Sequence, residues 1–291
     1  MTDPYPVDAS VLERLRRQRI RQTLTHLSRT GELPSLPGAA SAALSLASSP
    51  DANIERVCEL VETDVGLAAR VLRLANSAAY ARRSPARTVR DAVVALGLRK
   101  TCDVLVAACF RRLVAIPGDL AQNLWSHALA VAIATEEFAK ITKAIEPGSG
   151  FLPGLFHDVG RIAFLLADPT SADVIQSLVD SGAGSRADLE REWYGFDHAE
   201  AGAILAADWG LDATQADAIR WHHDPLNAQG GRPLAILLSA ADSIAYAIGF
   251  GTGVTRPKMD GLDALGLSTE VEADCATRVQ HAFAEHSELF G

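Results

Sequence analysis

Apolar residues in this chain return every three or four positions almost from end to end, and runs of alternating β-branched residues are missing. That spacing suits one face of a 3.6-residue helix and not the two-residue period of a strand, so it predicts an all-α fold. Punctuation sets the expected ends. "LPSLPG" (33–38) precedes a small-residue helix to about Ser48, Asn53 caps a helix through Glu62, and others are expected at 65–75, 89–96 and 98–115, with Gly97 as a left-handed cap. "IPGD" (116–119) reads as a hinge; beyond it helices are expected over 120–142, 151–167, 171–181, 186–194, 198–209, 213–223, 233–249 and 270–288. The economical organisation is a basic helix within 1–30, a helical subdomain over 31–117 and a second over 118–291.

Charge and cysteine usage narrow the class. A net charge of -9 disfavours the attraction to phosphate backbones on which nucleic-acid binding relies. Cys58, Cys102, Cys109 and Cys275 form no C-x-x-C pair, which suits a reducing compartment and argues against a cysteine zinc site. "MTDPYPVDAS" has no apolar leader, and no stretch approaches the roughly 18 unbroken apolar residues of a membrane span, so a cytoplasmic protein is expected. Residues 1–30 are a local exception to the acidic balance, with Arg14, Arg16, Arg17, Arg19, Arg21 and Arg29 against Asp3, Asp8 and Glu13. A helix there would line up Leu12, Ile20, Leu24 and Leu27 on one side, either packed on the body with a basic outer face or docked to an acidic partner or membrane surface.

The second half places polar residues on apolar stripes. "GLFHDVGRIAF" (154–164) sets His157 and Asp158 in the middle of an oily expected helix, where an unpartnered carboxylate would cost several kcal/mol. His127 shares a stripe with Leu120, Leu124, Val131 and Phe138. Asp197 and Glu200 resemble a capping box that puts His198 in a first helical turn. "WHHDP" puts His222 and His223 in the last turn of a helix that Pro225 stops, and Asp242 lies in the apolar run "ILLSAADSIAYAI". Taken singly, each has a plain structural account: a hydrogen-bonded core histidine, an Asp158–Arg161 pair at i+3, a histidine pair favoured by a helix dipole. Asn76, Ser77 and Tyr80, in "ANSAAY", are read as a helix end satisfying free backbone groups. Taken jointly, the histidines and carboxylates suit a metal site of imidazole and carboxylate without thiolate, a donor set for one or two divalent iron, manganese, zinc or nickel ions, with Asp158 able to bridge two.

The order His127, His157-Asp158, Asp242 resembles the H…HD…D pattern of the HD metal-dependent phosphohydrolases, and His198 with His222-His223 resembles the fuller set of the HD-GYP cyclic-di-GMP phosphodiesterases. That resemblance implies one ion held by His127, His157, Asp158 and Asp242, and a second held by Asp158, His198, His222 and His223. The first half, with its paired LP, "DVGLAARVLRLANS" and "AVVALG", is similar to the HDOD proteins, the HD-related output domains of bacterial signalling; the likeness runs from about Leu33 to Tyr246. Two departures from the HD-GYP pattern stand out: "HHDPLN" lacks G-Y-P, and Arg161 stands where a lysine is usual. The resemblance thus implies an all-helical bacterial regulator with an HD-like second subdomain, acting on a signalling protein partner and using its metal site for structure or for sensing a small phosphate-containing ligand. The alternative is an active metal-dependent phosphohydrolase in which Arg161 and Asp158 serve catalysis.

Overall fold

The computed structural model describes residues 9–27, 35–47, 49, 51–77, 80, 84–115, 119–252, 265 and 269–290. Among them no strand forms, and the all-α expectation holds. The first half contains α1 (Ala9–Leu27), α2 (Gly38–Ala47), α3 (Ile54–Glu62), α4 (Val65–Ala75), α5 (Val89–Leu96) and α6 (Leu98–Leu113). The second contains α7 (Asp119–Thr142), α8 (Phe151–Phe156), α9 (Val159–Ala167), α10 (Pro169–Asp180), α11 (Arg186–Tyr194), α12 (His198–Asp208), α13 (Ala213–Arg220), α14 (Arg232–Ala245) and α15 (Thr269–Phe290). The hinge expected at 116–119 falls mostly on residues 116–118, outside the described ones.

Short polar side chains start seven of these helices, each accepting a main-chain N–H that the helix leaves free. Asn53 takes the N–H of Arg56, Asp64 those of Gly66 and Leu67, and Thr88 with Asp91 closes a full capping box. Asp212 with Gln215 closes another ahead of α13. Asp197 and Glu200 form only half of one: Asp197 accepts the Glu200 N–H, but the Glu200 carboxylate is drawn away by Arg16. Gly97 does have positive φ (81°), but its ψ of 161° lies in a region open only to glycine and not in the left-handed helical one.

Two buried helices organise the core. Every residue of α6 from Thr101 to Phe110 is buried, and α2, α3, α4, α5 and α8 pack around it. In α14, Leu234 to Ala245 are all buried, against α7 and α13. With the π-helical turn that follows, Arg232–Phe250 is long and apolar enough to cross a membrane (mean hydropathy 1.6), yet 67% of it is buried within the protein, as suits a core helix. The helix expected over 233–249 thus changes character at Tyr246, where the π turn Tyr246–Phe250 begins and Gly249 leaves helical geometry.

At the amino-terminal end α1 packs on α9 and α12, with Ile20 and Leu24 buried. Its arginines answer acids of α12: Arg16 makes a two-pronged pair with Glu200 at 2.6 and 2.7 Å, and Arg21 pairs with Asp208. The packed-helix reading of this segment holds; the side chains of Leu12 and Leu27, and Arg29, lie outside the described residues.

The expected continuous helix over 151–167 is broken. His157 and Asp158 form a turn between α8 and α9, with Asp158 at φ -100°, ψ 13° and its carbonyl accepting the Arg161 N–H. On an unbroken helix, successive side chains diverge by about 100°; the turn lets both face the same interior point. It also brings α9 hard against α12, where a Cβ added at Gly160 would lie 2.0 Å from the His198 carbonyl oxygen. Likewise α13 ends at Arg220, so His222 and His223 sit in the turn beyond it and not in a last helical turn.

Candidate metal centre

Asp158 is the hub. Its Oδ2 faces His127 Nε2 (3.6 Å) and His157 Nε2 (3.7 Å), while its Oδ1 faces His198 Nε2 (3.2 Å) and His222 Nε2 (3.9 Å). Asp242 Oδ1 lies 3.3 Å from His127 Nε2, and His223 Nε2 lies 2.8 Å from His198 Nε2. All seven residues singled out in the sequence therefore meet, contributed by α7, the α8–α9 turn, the start of α12, the turn after α13, and α14. Two groups, His127-His157-Asp158 and His198-His222-His223, each bring one ligand-type atom per residue within 4.8 Å of the others.

The outer nitrogens fix the direction of the inner ones. His127 Nδ1 meets the Phe250 carbonyl (2.9 Å), His157 Nδ1 that of Gly154 (2.8 Å) and His222 Nδ1 that of Ile219 (2.7 Å). Since a carbonyl only accepts, each Nδ1 must carry the proton and donate, which assigns the Nε2 lone pair to the interior. His127 Nε2 and His157 Nε2 then face one another at 3.2 Å with no proton from either ring between them, and the buried His222 Nε2 has no hydrogen-bond partner at all. Inward lone pairs with outer N–H groups held by acceptors are the arrangement of metal-binding imidazoles, so the donor set fits a divalent cation.

Electrostatics agree with the geometry. Burial lowers His127 to about 4 and brings His157 and His223 well below the ordinary imidazole range, with His222 lowered too, so these rings are neutral at pH 7. Burial would raise Asp158, but the Arg161 guanidinium beside it, with the His198 ring, outweighs it and holds the carboxylate ionised. Asp242 is pushed up to about 7 by burial, with the Asp158 charge adding to it. His198 is the exception: burial is overcome by Glu190 and Asp158, and it rises to about 10. In the absence of an ion a proton on His198 supplies positive charge beside Asp158, and an ion bound by His198 would have to displace it.

Two neighbours of the cluster, Glu190 and Thr252, carried no expectation. Glu190, 2% exposed on α11, accepts both the Nδ1–H (2.5 Å) and the main-chain N–H (2.8 Å) of His198. Its place on one stripe with Ala187 and Tyr194 was the available signal. Arg161 Nη1 donates to Asp158 Oδ2 and to Thr252 Oγ1, each at 2.6 Å, and nothing in the sequence marks Thr252. The Asp158–Arg161 pair expected as the plain alternative is therefore present, as one contact of a carboxylate that also meets four imidazoles. Asn76 exchanges two hydrogen bonds with the backbone of Ala86, in keeping with its structural reading.

Comparison with known proteins gives the same fold. The family model of the HDOD domain matches residues 33–225. The crystal structure of an HDOD domain protein with unknown function from Geobacter sulfurreducens is similar with a TM-score of 0.80 and 26% identity, covering 95% of this chain and 99% of that one. A candidate phosphohydrolase from Shewanella amazonensis SB2B is similar with a TM-score of 0.71 and 27% identity, over 94% and 98% of the two chains. A candidate signal transduction protein from Marinobacter aquaeolei VT8, at 21% identity and a TM-score of 0.74, shares the fold over 98% of this chain and 66% of its own. An uncharacterized protein of Treponema pallidum (strain Nichols) is 27% identical over 201 residues, 67% of this chain; the match spans 38% of that relative's length.

Proposed function

Because the chain belongs to the HDOD family, we propose that it is a bacterial signal-transduction output module, cytoplasmic and acting through contacts with a protein partner, whose second half binds divalent metal for structure or for ligand sensing. The division proposed is a basic helix (1–30), an amino-terminal HDOD subdomain (31–117) and an HD-like subdomain (118–291). One ion would be held by His127, His157, Asp158 and Asp242, a second by Asp158, His198, His222 and His223. The observation that supports this reading is the placement of the two Asp158 oxygens, each directed at a different group of imidazoles.

Burial favours sensing or structure over turnover. His127, His157, Asp158, His198, His222 and Asp242 are all at most 6% exposed, and among the seven His223 alone reaches solvent. A catalytic metal keeps an open position for substrate, whereas a closed set of protein ligands is the mark of a structural one. Bound there, divalent ions would supply fixed positive charge that also polarises any oxygen ligand. The chain's own part is to hold the rings in one tautomer through the Phe250, Gly154 and Ile219 carbonyls and the Glu190 carboxylate, and to exclude water from around Asp158.

Phosphate-ester hydrolysis is the second reading, favoured by a carboxylate shared between two imidazole groups, the plan of two-metal hydrolases. Elemental analysis of wild type beside Asp158→Ala, with a cyclic-dinucleotide turnover assay on the same samples, separates the two. Metal in the wild type alone, without turnover, is the expected result. Turnover at ordinary enzymatic rates that vanishes in Asp158→Ala overturns the regulatory reading, and wild type that takes up neither manganese nor iron on reconstitution overturns the metal site.

A further inference from the structure

Four of the five clustered histidines have their outer nitrogen held by the protein: Nδ1 of His127, His157 and His222 by the Phe250, Gly154 and Ile219 carbonyls, and Nδ1 of His198 by Glu190. His223 differs. Its Nε2 faces inward, 2.8 Å from His198 Nε2, while among the described residues no acceptor meets its Nδ1. The proton belongs on that outer nitrogen whether or not an ion is bound. An ion takes the Nε2 lone pair; without one, His198 lies between Glu190 and Asp158, which only accept, so it carries a proton on each nitrogen and His223 Nε2 accepts from it. The two nitrogens of an imidazole point in nearly opposite directions, so His223 turns an unused N–H away from the centre.

On its outer side His223 lines a pocket of ≈ 370 Å³ between α1, α11, the start of α12 and the turn after α13. One water occupies roughly 30 Å³, and small-molecule sites start at about 300 Å³. The formal charges of the wall balance, with Arg16, Arg191 and Arg220 against Asp197, Glu200 and Asp224. Two of the acids are spent within the wall, Asp197 on Arg191 at 2.6 Å and Glu200 on two nitrogens of Arg16, and the third, Asp224, is exposed. Arg220 comes to 3.5 Å from Glu200 and lies over the Trp221 ring, 5.4 Å from its centre. A balanced wall favours a singly charged ligand over a phosphoryl group, which brings nearly two charges. A carboxylate can accept from His223 and face a guanidinium at once, and it is a usual outer partner of metal-binding imidazoles.

We infer that this pocket binds a small monocarboxylate, one oxygen of which accepts the His223 Nδ1–H while the Arg220 guanidinium faces the other. The bound carboxylate gives the fifth imidazole the outer partner that the other four already have, so ligand and ion tighten one another by the same factor. This names the ligand class of the proposed sensing role and rests on that reading only for its purpose.

The test takes propionate as the probe and the full chain at fixed ionic strength, once after chelation and once loaded with zinc, followed by calorimetric titration and by NMR of the histidine ring N–H groups. The expected result is one propionate per chain in both states, with a His223 Nδ1–H signal that becomes protected from exchange with water, and zinc binding tightened about tenfold at saturating propionate. In the chelated protein the affinity should fall about tenfold or more in Arg220→Gln and in His223→Phe, which keeps a flat ring without an N–H. Should His223→Phe fail to fold, Arg220→Gln and the ring spectrum decide. Propionate that binds only the zinc-loaded chain and leaves the His223 signal unmoved sits on the ion: this inference is then wrong and the metal site stands. No propionate binding in either state also overturns it, as does equal binding by wild type and His223→Phe. A chain that takes up no zinc yet binds propionate through His223 keeps the inference and removes the metal reading.

Discussion

Glu190 Oε2 stands 2.5 Å from His198 Nδ1, and the same oxygen accepts the His198 main-chain N–H at 2.8 Å. One carboxylate oxygen thus fixes both the ring and the backbone of a proposed metal ligand from a helix that supplies no ligand itself. Outer partners of this kind are worth about 10–100-fold in metal affinity. Glu190→Gln is expected to weaken manganese binding by that order while the circular dichroism spectrum stays helical; unchanged affinity in a folded variant would reduce Glu190 to a packing residue.

Metal removal should be felt as lost stability. An ion that binds only the folded state contributes about 2.7 kcal/mol at a hundred times its Kd. Chelation is expected to lower the Tm of the wild type by several degrees and leave Asp158→Ala unmoved. Equal melting curves for wild type with and without chelator would count against any bound ion.

The close approach of α9 to α12 makes a sharper structural prediction. A Cβ at Gly160 would fall 2.0 Å from a backbone oxygen, an atom that cannot swing aside, whereas a Cβ at Gly38, at the start of α2, meets nothing within 4 Å. Gly160→Ala is expected to lose about 1–3 kcal/mol or more in urea denaturation, and Gly38→Ala to gain up to about 1 kcal/mol by restricting the unfolded chain. The reverse order would contradict the packing described for α9.

Asp103 offers a pH test away from the cluster. It is 2% exposed on α6, its Oδ1 has no hydrogen-bond partner, and burial pushes it up to about 7 against the pull of Lys100 and Arg99. A carboxyl whose folded pKa is raised holds its proton more tightly when folded, so its contribution to stability is full below about pH 4 and fades as pH climbs to about 7. Asp103→Asn, which cannot ionise, should shrink the Tm difference between pH 5 and pH 8; an unchanged difference would assign that slope to other groups.

What the sequence disclosed and what it hid divide along physical lines. His127, Asp158 and Asp242 were legible because a polar side chain on an apolar stripe must find a partner inside, and the helix period says which way it faces. Helix starts at Asn53, Thr88 and Asp212 were written in local hydrogen-bonding chemistry, although only the first entered the expectations. The turn at His157-Asp158 was not legible, since "LPGLFHDVGRIAF" satisfies helical spacing throughout; the break follows from packing α9 on α12, a contact between segments about 40 residues apart. Thr252 on Arg161 and the Phe250 carbonyl on His127 are likewise long-range pairings that leave no local trace. The pairing of Arg16 with Glu200, 184 residues away, explains why a complete capping box was expected at Asp197 and only half of one formed.

The path of the chain has a mechanical corollary. Helix α1 opens the sequence but rests on α9 and α12, and α15 closes it against both α4 and α7. Severing the backbone between α6 and α7 would therefore leave two pieces interlocked like hooks, each still gripping the other through a terminal arm. Nicked protein should co-elute as one species in gel filtration and come apart only in denaturant; fragments that drift apart in plain buffer would show that the clasp does not hold.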